Sequence, residues 1–403
     1  MRDDGLYAAM MRRGMTRRTF LQFSAATAAA LSLPVAYGPR IAKALETAPR
    51  VPVIWIRGQA CGGNTEALLR AANPTAANLL LDVLALDYHE ELLAVAGADS
   101  SSPLAGLASR YPNGYYAVLE GSFPTGAAGA YCLIGGRPAV DVAREVATGA
   151  LLTIAVGSCA VDGGAPAAPG GITEAGGIGK VLSGGNYIAL PGCPANPANL
   201  AAVIVHQLVA KEAMPTDMAH RPLAFYGNLI HNQCERRPHF EFGQFAQEWG
   251  DQGAQKGWCL YKLGCKGPET MANCPDARYG EKISWNVSSG VGCIGCHSPS
   301  FWGAMGPAYR RLPSPLPFLP NLTTDLIGGA MVGGIGAVAV VHGAGMTIRF
   351  KRYKAQERRA AAKAAAEAAS VEAAITAETP AIAQAQAQAG AAPASAAVGT
   401  EER

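Results

Sequence analysis

The chain has 403 residues and a formal charge of +3 with no basic stripe, so it has room for one large domain or two ordinary ones and lacks the electrostatic footprint of a nucleic-acid binder. With 48 glycines and 27 prolines, many loops and close backbone approaches are expected. Ten cysteines lie mostly in short clusters with a histidine nearby, which favours metal ligands over a disulfide framework.

The N-terminus reads as an address. In "MTRRTFLQFSAATAAALSLP" the twin arginines Arg17 and Arg18 precede Phe20, Leu21 and a weakly apolar run, the pattern of a twin-arginine export signal rather than a fold element. "AKA" at 42–44 offers a small-x-small cleavage site, so residues 1–44 are assigned to the signal. Proteins sent by this route fold, and often take up metal, before crossing, so a cysteine-rich exported chain need not be disulfide-bonded.

From about 50 to 200, strands and helices alternate. "VPVIWIRG", the start of "LLLDVLALDYHEELLAVAG", "GYYAVLEGSF", "LLTIAVGSCA" and "NYIALPGCP" are strand-like. "TEALLRAA", the end of the second stretch, "DVAREVATGA" and "PANLAAVIVHQLV" are helical. Alternation of this kind predicts a parallel, doubly wound sheet with its ligand site beyond the carboxyl ends of the strands. Cys61, Cys159 and Cys193 each follow such an end and each has a glycine beside it, so three distant thiolates would converge on one edge, as an iron–sulfur cluster needs. The alternative is three unrelated core cysteines. Cys132 falls outside this pattern and reads as a small buried hydrophobe. "GGIGKV" at 176–181 lacks the first glycine and the Ser/Thr of a phosphate loop.

Residues 222–302 carry seven soft or borderline ligands with little regular periodicity: His231, Cys234, Cys259, Cys265, Cys274, Cys293 and Cys296. Seven divides as four for a cubane plus three for a cluster lacking one iron, and metal would replace an apolar core as the stabiliser. Structural zinc is the competing reading. His239 and His297 read as solvated or core histidines. Further on, "LIGGAMVGGIGAVAVVHGAGMTI" (326–348) is uncharged and long enough to span a bilayer; Gly329 and Gly333 offer a close-packing face, and "RFKRYK" marks a cytoplasmic end. The Ala-rich residues after 355 read as a low-complexity tail, partly helical or disordered, to which no chemistry is assigned.

Taken together, "WIRGQACGGNTEALLR", "LDYHEELLAVAG", "LEGSFP", "GSCAVDGG", "PGCPANP" and "PLAFYGNLIHNQCERRPHFEFGQFA", in that order, resemble the small subunit of membrane-bound [NiFe] uptake hydrogenases over roughly residues 14–354. The resemblance implies a flavodoxin-like domain at 45–215, a loop-rich iron–sulfur domain at 216–315, a transmembrane helix at 323–348 and a tail at 355–403. Cys61, Cys159 and Cys193 would hold a proximal [4Fe-4S] cluster. His231, Cys234, Cys259 and Cys265 would hold a distal [4Fe-4S], and Cys274, Cys293 and Cys296 a medial [3Fe-4S]. The nickel–iron centre would lie in a separate large subunit, the main domain would face the periplasm, and a membrane cytochrome b would pass electrons to quinone.

One departure stands out. The family has a cysteine as fourth proximal ligand where this chain has Asn64, a neutral, hard donor poorly suited to iron. The amide or a water completes a cubane, or the cluster loses an iron, or the site is empty; the expectation is a three-thiolate [4Fe-4S] with an unusual fourth ligand. Glu66 is no evidence of rescue, because the family carries it beside a full cysteine set. Gly63 and Gly164 stand where oxygen-tolerant members have added cysteines, so that modified cluster is not expected. A hydrogen-sensing complex or a non-catalytic scaffold is the alternative function. The export signal argues against a sensor, and the seven-ligand second half argues against respiratory-complex subunits, which share only the GSCA-like and PGCP-like loops.

Overall fold

The computed structural model describes residues 11–304, apart from 13, 32, 48–50, 72–75, 77–83, 96–103, 113, 211, 281 and 300, together with residue 309 and the helix at 324–389. Five strands form one parallel sheet: β1 (Val51–Arg57), β2 (Leu84–His89), β3 (Tyr116–Glu120), β4 (Leu152–Val156) and β5 (Tyr187–Leu190). Their order is β2-β1-β3-β4-β5, so the chain reverses direction across the sheet between β1 and β3.

Period-two alternation decides what each face buries. On one face Val53, Trp55, Val118, Ile154 and Leu190 pack under the helix α6 (Pro197–Ala210). On the other, Ile54, Ile56, Ala117, Leu119 and Ala155 pack under α4 (Ala139–Thr148). The short helices α3 (Gly63–Leu69) and α5 (Ser158–Asp162) follow β1 and β4. The helix expected after the second strand is a turn at 90–92, and part of its span lies outside the described residues.

Helix α6 is buried without a break from Asn199 to Val205, which is the pattern of a helix covered on more than one side. The reason is the export leader. Its helices α1 (Arg17–Ala30) and α2 (Gly38–Thr47) bury Phe20, Phe23, Ala28, Ile41 and Leu45 in the core cluster that contains α6. The leader was expected to be an address outside the fold; its amphipathic pattern instead gives it an apolar stripe, and α6 offers a surface to cover. The predicted cleavage segment falls inside α2, with Ala42 buried.

Between 216 and 304 regular structure is limited to short helical turns and isolated bridges. The region was expected to lack a sizeable apolar core. It shares the sheet's core instead, contributing Phe225, Tyr226, Ile230, Leu260, Trp285 and Val287 to the α6 cluster. Residues 1–312 form one compact unit and residues 313–403 a second. The second contains α7 (Thr324–Ala389), a continuous helix of 66 residues. Its segment Gly328–Ala374 includes a stretch long and apolar enough to cross a membrane. The basic and Ala-rich residues continue the helix to 389, because alanine, lysine, arginine and glutamate are strong helix formers.

Candidate iron–sulfur centres

Cys61, Cys159 and Cys193 lie beyond the carboxyl ends of β1, β4 and β5, as the strand pattern predicts. Burial pushes the Cys159 and Cys193 thiols up to about 11; the Cys61 thiol pushes both in the same direction, and Cys193 does so for Cys159. Thiolates in such a place need a cation to hold them ionised. A Cβ on Gly63 would lie 3.1 Å from Cys61 Sγ, and one on Gly164 would meet Cys159 Sγ. Side chains at these two positions would therefore enter the thiol site.

Asn64 sits in this corner with its amide fully engaged. Its Oδ1 accepts from the Ala195 N–H at 2.9 Å, while its N–H and Nδ2 donate to Glu120 Oε1 at 3.2 and 3.3 Å. A side chain on Gly157, whose φ is 86°, would collide with this amide. Glu120 is completely buried and accepts as well from Trp55 Nε1 at 3.1 Å and Thr65 Oγ1 at 2.6 Å. Thr65 Oγ1 lies 3.2 Å from His89 Nε2. Sequence reasoning missed this network. The available signal was an acidic residue closing the fully buried strand "YAVLE".

His231, Cys234, Cys259 and Cys265 line a single pocket. His231 and Cys234 come from the turn Ile230–Gln233 and the residue after it; Cys259 and Cys265 flank the turn Tyr261–Leu263. Burial, and then the Arg237 charge, lower the His231 pKa, which favours the neutral ring that a metal ligand requires. The Arg236 N–H points at Cys234 Sγ at 3.4 Å and the Cys293 N–H at Cys265 Sγ at 3.3 Å.

Cys274, Cys293 and Cys296 form the third group. Burial raises the Cys293 thiol well above its ordinary value, with Cys265, Cys296 and Cys274 adding to the effect. This group adjoins both others. Towards the sheet, Ser158 Oγ donates to the Cys296 carbonyl and accepts from the Gly192 N–H at 3.0 Å. Tyr279 and Tyr226 donate to the Pro194 and Pro191 carbonyls, each at 2.9 Å. Towards the cavity, Cys293 supplies the N–H on Cys265 and its carbonyl accepts from the Lys266 N–H at 2.7 Å. Among the described residues no three His, Cys, Asp or Glu side chains close on a point sized for one ion. Cys132 lies apart, packed with the α4 cluster, and His239 pairs with Gln244 Oε1 at 2.6 Å.

Comparison with known proteins identifies the family. Family models match for the C-terminal region of the NiFe/NiFeSe hydrogenase small subunit at residues 226–309, the NADH ubiquinone oxidoreductase 20 Kd subunit at 61–207, and the twin-arginine translocation signal at 14–34. The uptake hydrogenase small subunit of Azotobacter vinelandii is 40% identical over 348 residues, 86% of this chain and 97% of its own. The hydrogenase-1 small chain of Escherichia coli (strain K12) is 37% identical over 355 residues, 88% of this chain and 95% of its own. The solved [NiFeSe]-hydrogenase of Dm. baculatum superposes with a TM-score of 0.61 at 31% identity, covering 66% of this chain and 100% of the other. The Actinobacterial-type NiFe-hydrogenase from Ralstonia eutropha H16 gives 0.59 at 25%, covering 72% and 90%. The class is thus an iron–sulfur electron-transfer subunit of an oxidoreductase. Within that class, the chain belongs to the small subunits of the [NiFe] hydrogenases, which pair with a large catalytic subunit.

Proposed function

We propose that this chain relays electrons from hydrogen oxidation in a [NiFe] large subunit, on the periplasmic side, to a membrane cytochrome b and the quinone pool. In this reading Cys61, Cys159 and Cys193 hold a proximal [4Fe-4S], Cys274, Cys293 and Cys296 a medial [3Fe-4S], and His231, Cys234, Cys259 and Cys265 a distal [4Fe-4S]. Bound clusters supply one-electron redox chemistry. The chain's own residues fix the thiolates and direct N–H groups at sulfur. The observation that carries the reading is the continuity of the three donor groups, joined by Ser158 on one side and Cys293 on the other.

The strand order β2-β1-β3-β4-β5 supports a flavodoxin-like first half. The export signal and the apolar part of α7 support a membrane-anchored complex with its main domain outside the cytoplasm. Asn64 is held away from ligation by Ala195 and Glu120, which leaves the fourth proximal iron without a thiolate from this chain.

Iron analysis with Mössbauer and EPR spectroscopy on the purified complex tests this. The expected count is about eleven irons, in two four-iron clusters and one three-iron cluster. Asn64→Cys should leave that count unchanged and lower the proximal potential, because a thiolate adds negative charge. About seven irons with no proximal signal would favour a scaffold with a degraded site and overturn the proposal.

A further inference from the structure

His297 has no part in the ligand sets above, yet it is only 3% exposed and lies between two of their members. Its Nδ1 lies 3.3 Å from Cys296 Sγ, while Cys274 Sγ lies nearly equidistant from Nδ1 and Nε2, at 3.9 and 3.8 Å. Among the described residues these two sulfurs are the ring's only hydrogen-bonding neighbours. The backbone is tied down separately: the His297 carbonyl accepts from Arg221 Nη1 at 3.3 Å, and Arg221 is held in turn by Asp217 at 2.7 Å. The Tyr226 ring, 6.0 Å away between centroids, closes another side.

A buried imidazole without an oxygen partner would be costly unless its N–H meets an acceptor. Thiolate sulfur is such an acceptor. The 3.3 Å separation of Nδ1 from Cys296 Sγ is that of an N–H···S hydrogen bond and not of co-ligands, because ligands on different irons of a cluster diverge from one another.

We propose that His297 is a positioning and tuning residue of the medial cluster, donating one hydrogen bond from Nδ1–H to the Cys296 thiolate and thereby raising that cluster's potential. Donation to a ligand sulfur withdraws negative charge from the cluster and stabilises the reduced form. This rests on the assignment of Cys274, Cys293 and Cys296 to a three-iron medial cluster. It makes the middle of the relay an electron-accepting point set by a residue outside the ligand set.

The test is a redox titration of the three-iron EPR signal in the whole membrane-extracted complex. His297→Phe keeps a ring and removes the donor; His297→Asn keeps an amide NH₂ donor. The medial midpoint should fall in the first variant and recover part of the way in the second. An unchanged midpoint in His297→Phe, with the signal intact, overturns the inference alone. Absence of a three-iron signal from the wild-type complex overturns the medial assignment and the inference with it. Pulsed EPR on the wild type with ¹⁵N-labelled histidine in D₂O covers the case of a variant that fails to assemble. A weak nitrogen coupling with an exchangeable deuteron supports the hydrogen bond; a strong coupling, as from a ligand on iron, or none, overturns it.

Discussion

Asn64 and Glu120 form the tightest point of the proximal corner. One buried carboxyl group accepts from Trp55, from Thr65 and twice from Asn64, so it fixes the loop after β1 and the start of α3 together. Removing it leaves several buried donors without acceptors, each costing on the order of 1–3 kcal/mol. Glu120→Ala should therefore destabilise the complex by about 3 kcal/mol, with Glu120→Gln costing less because an amide oxygen still accepts. Thermal unfolding of the two variants, followed by loss of the iron–sulfur absorbance, measures the difference. Equal melting temperatures would show that the network carries no load. The sequence located Asn64 as the anomaly; it gave no sign that the amide is spoken for, since Ala195 is 131 residues away.

At the scale of elements, the leader behaves as two packed helices. Phe20 and Phe23 are inserted in the α6 cluster, while Arg17 and Arg18 remain exposed. A receptor can thus reach the arginines while the aromatic part of the signal is covered. Phe23→Ala should cost about 3 kcal/mol of docking, which raises the undocked population of the leader roughly a hundredfold. Limited proteolysis of the purified precursor near residues 42–44 should accelerate to match, and an unchanged cleavage rate would count against the docked leader. Most strand and helix positions were legible from apolar runs that end in glycine and small or polar residues; the helix expected after the second strand was the exception. The leader's packing was not legible, because amphipathicity states that a helix has an apolar side and not what that side meets. The helix α7 runs past the apolar span because polarity changes sharply at 349 but helix propensity does not.

For the whole molecule, two units with different surroundings follow from composition. Residues 1–312 bury a shared core, whereas the described side chains of the long helix from Gly328 onward are exposed within the chain itself. A chain ending before Thr324 should leave the hydrogenase complex in the soluble fraction after cell breakage, with hydrogen-driven reduction of an artificial dye retained and quinone reduction lost. Continued sedimentation with membranes would place the anchor elsewhere.

The sequence by itself determined the export signal, the parallel sheet, the apolar span and the identity of ten candidate ligands. Each of these depends on local spacing or on residues that must follow a strand end. Only the tertiary structure decided which donors share a cavity, that Ser158 and Cys293 tie the three groups into one succession, that Asn64 is engaged by Glu120 and Ala195, and that His297 lies against two thiols. Those are contacts between residues up to 138 positions apart, fixed by how the loops return to the sheet's carboxyl edge and invisible to any local pattern.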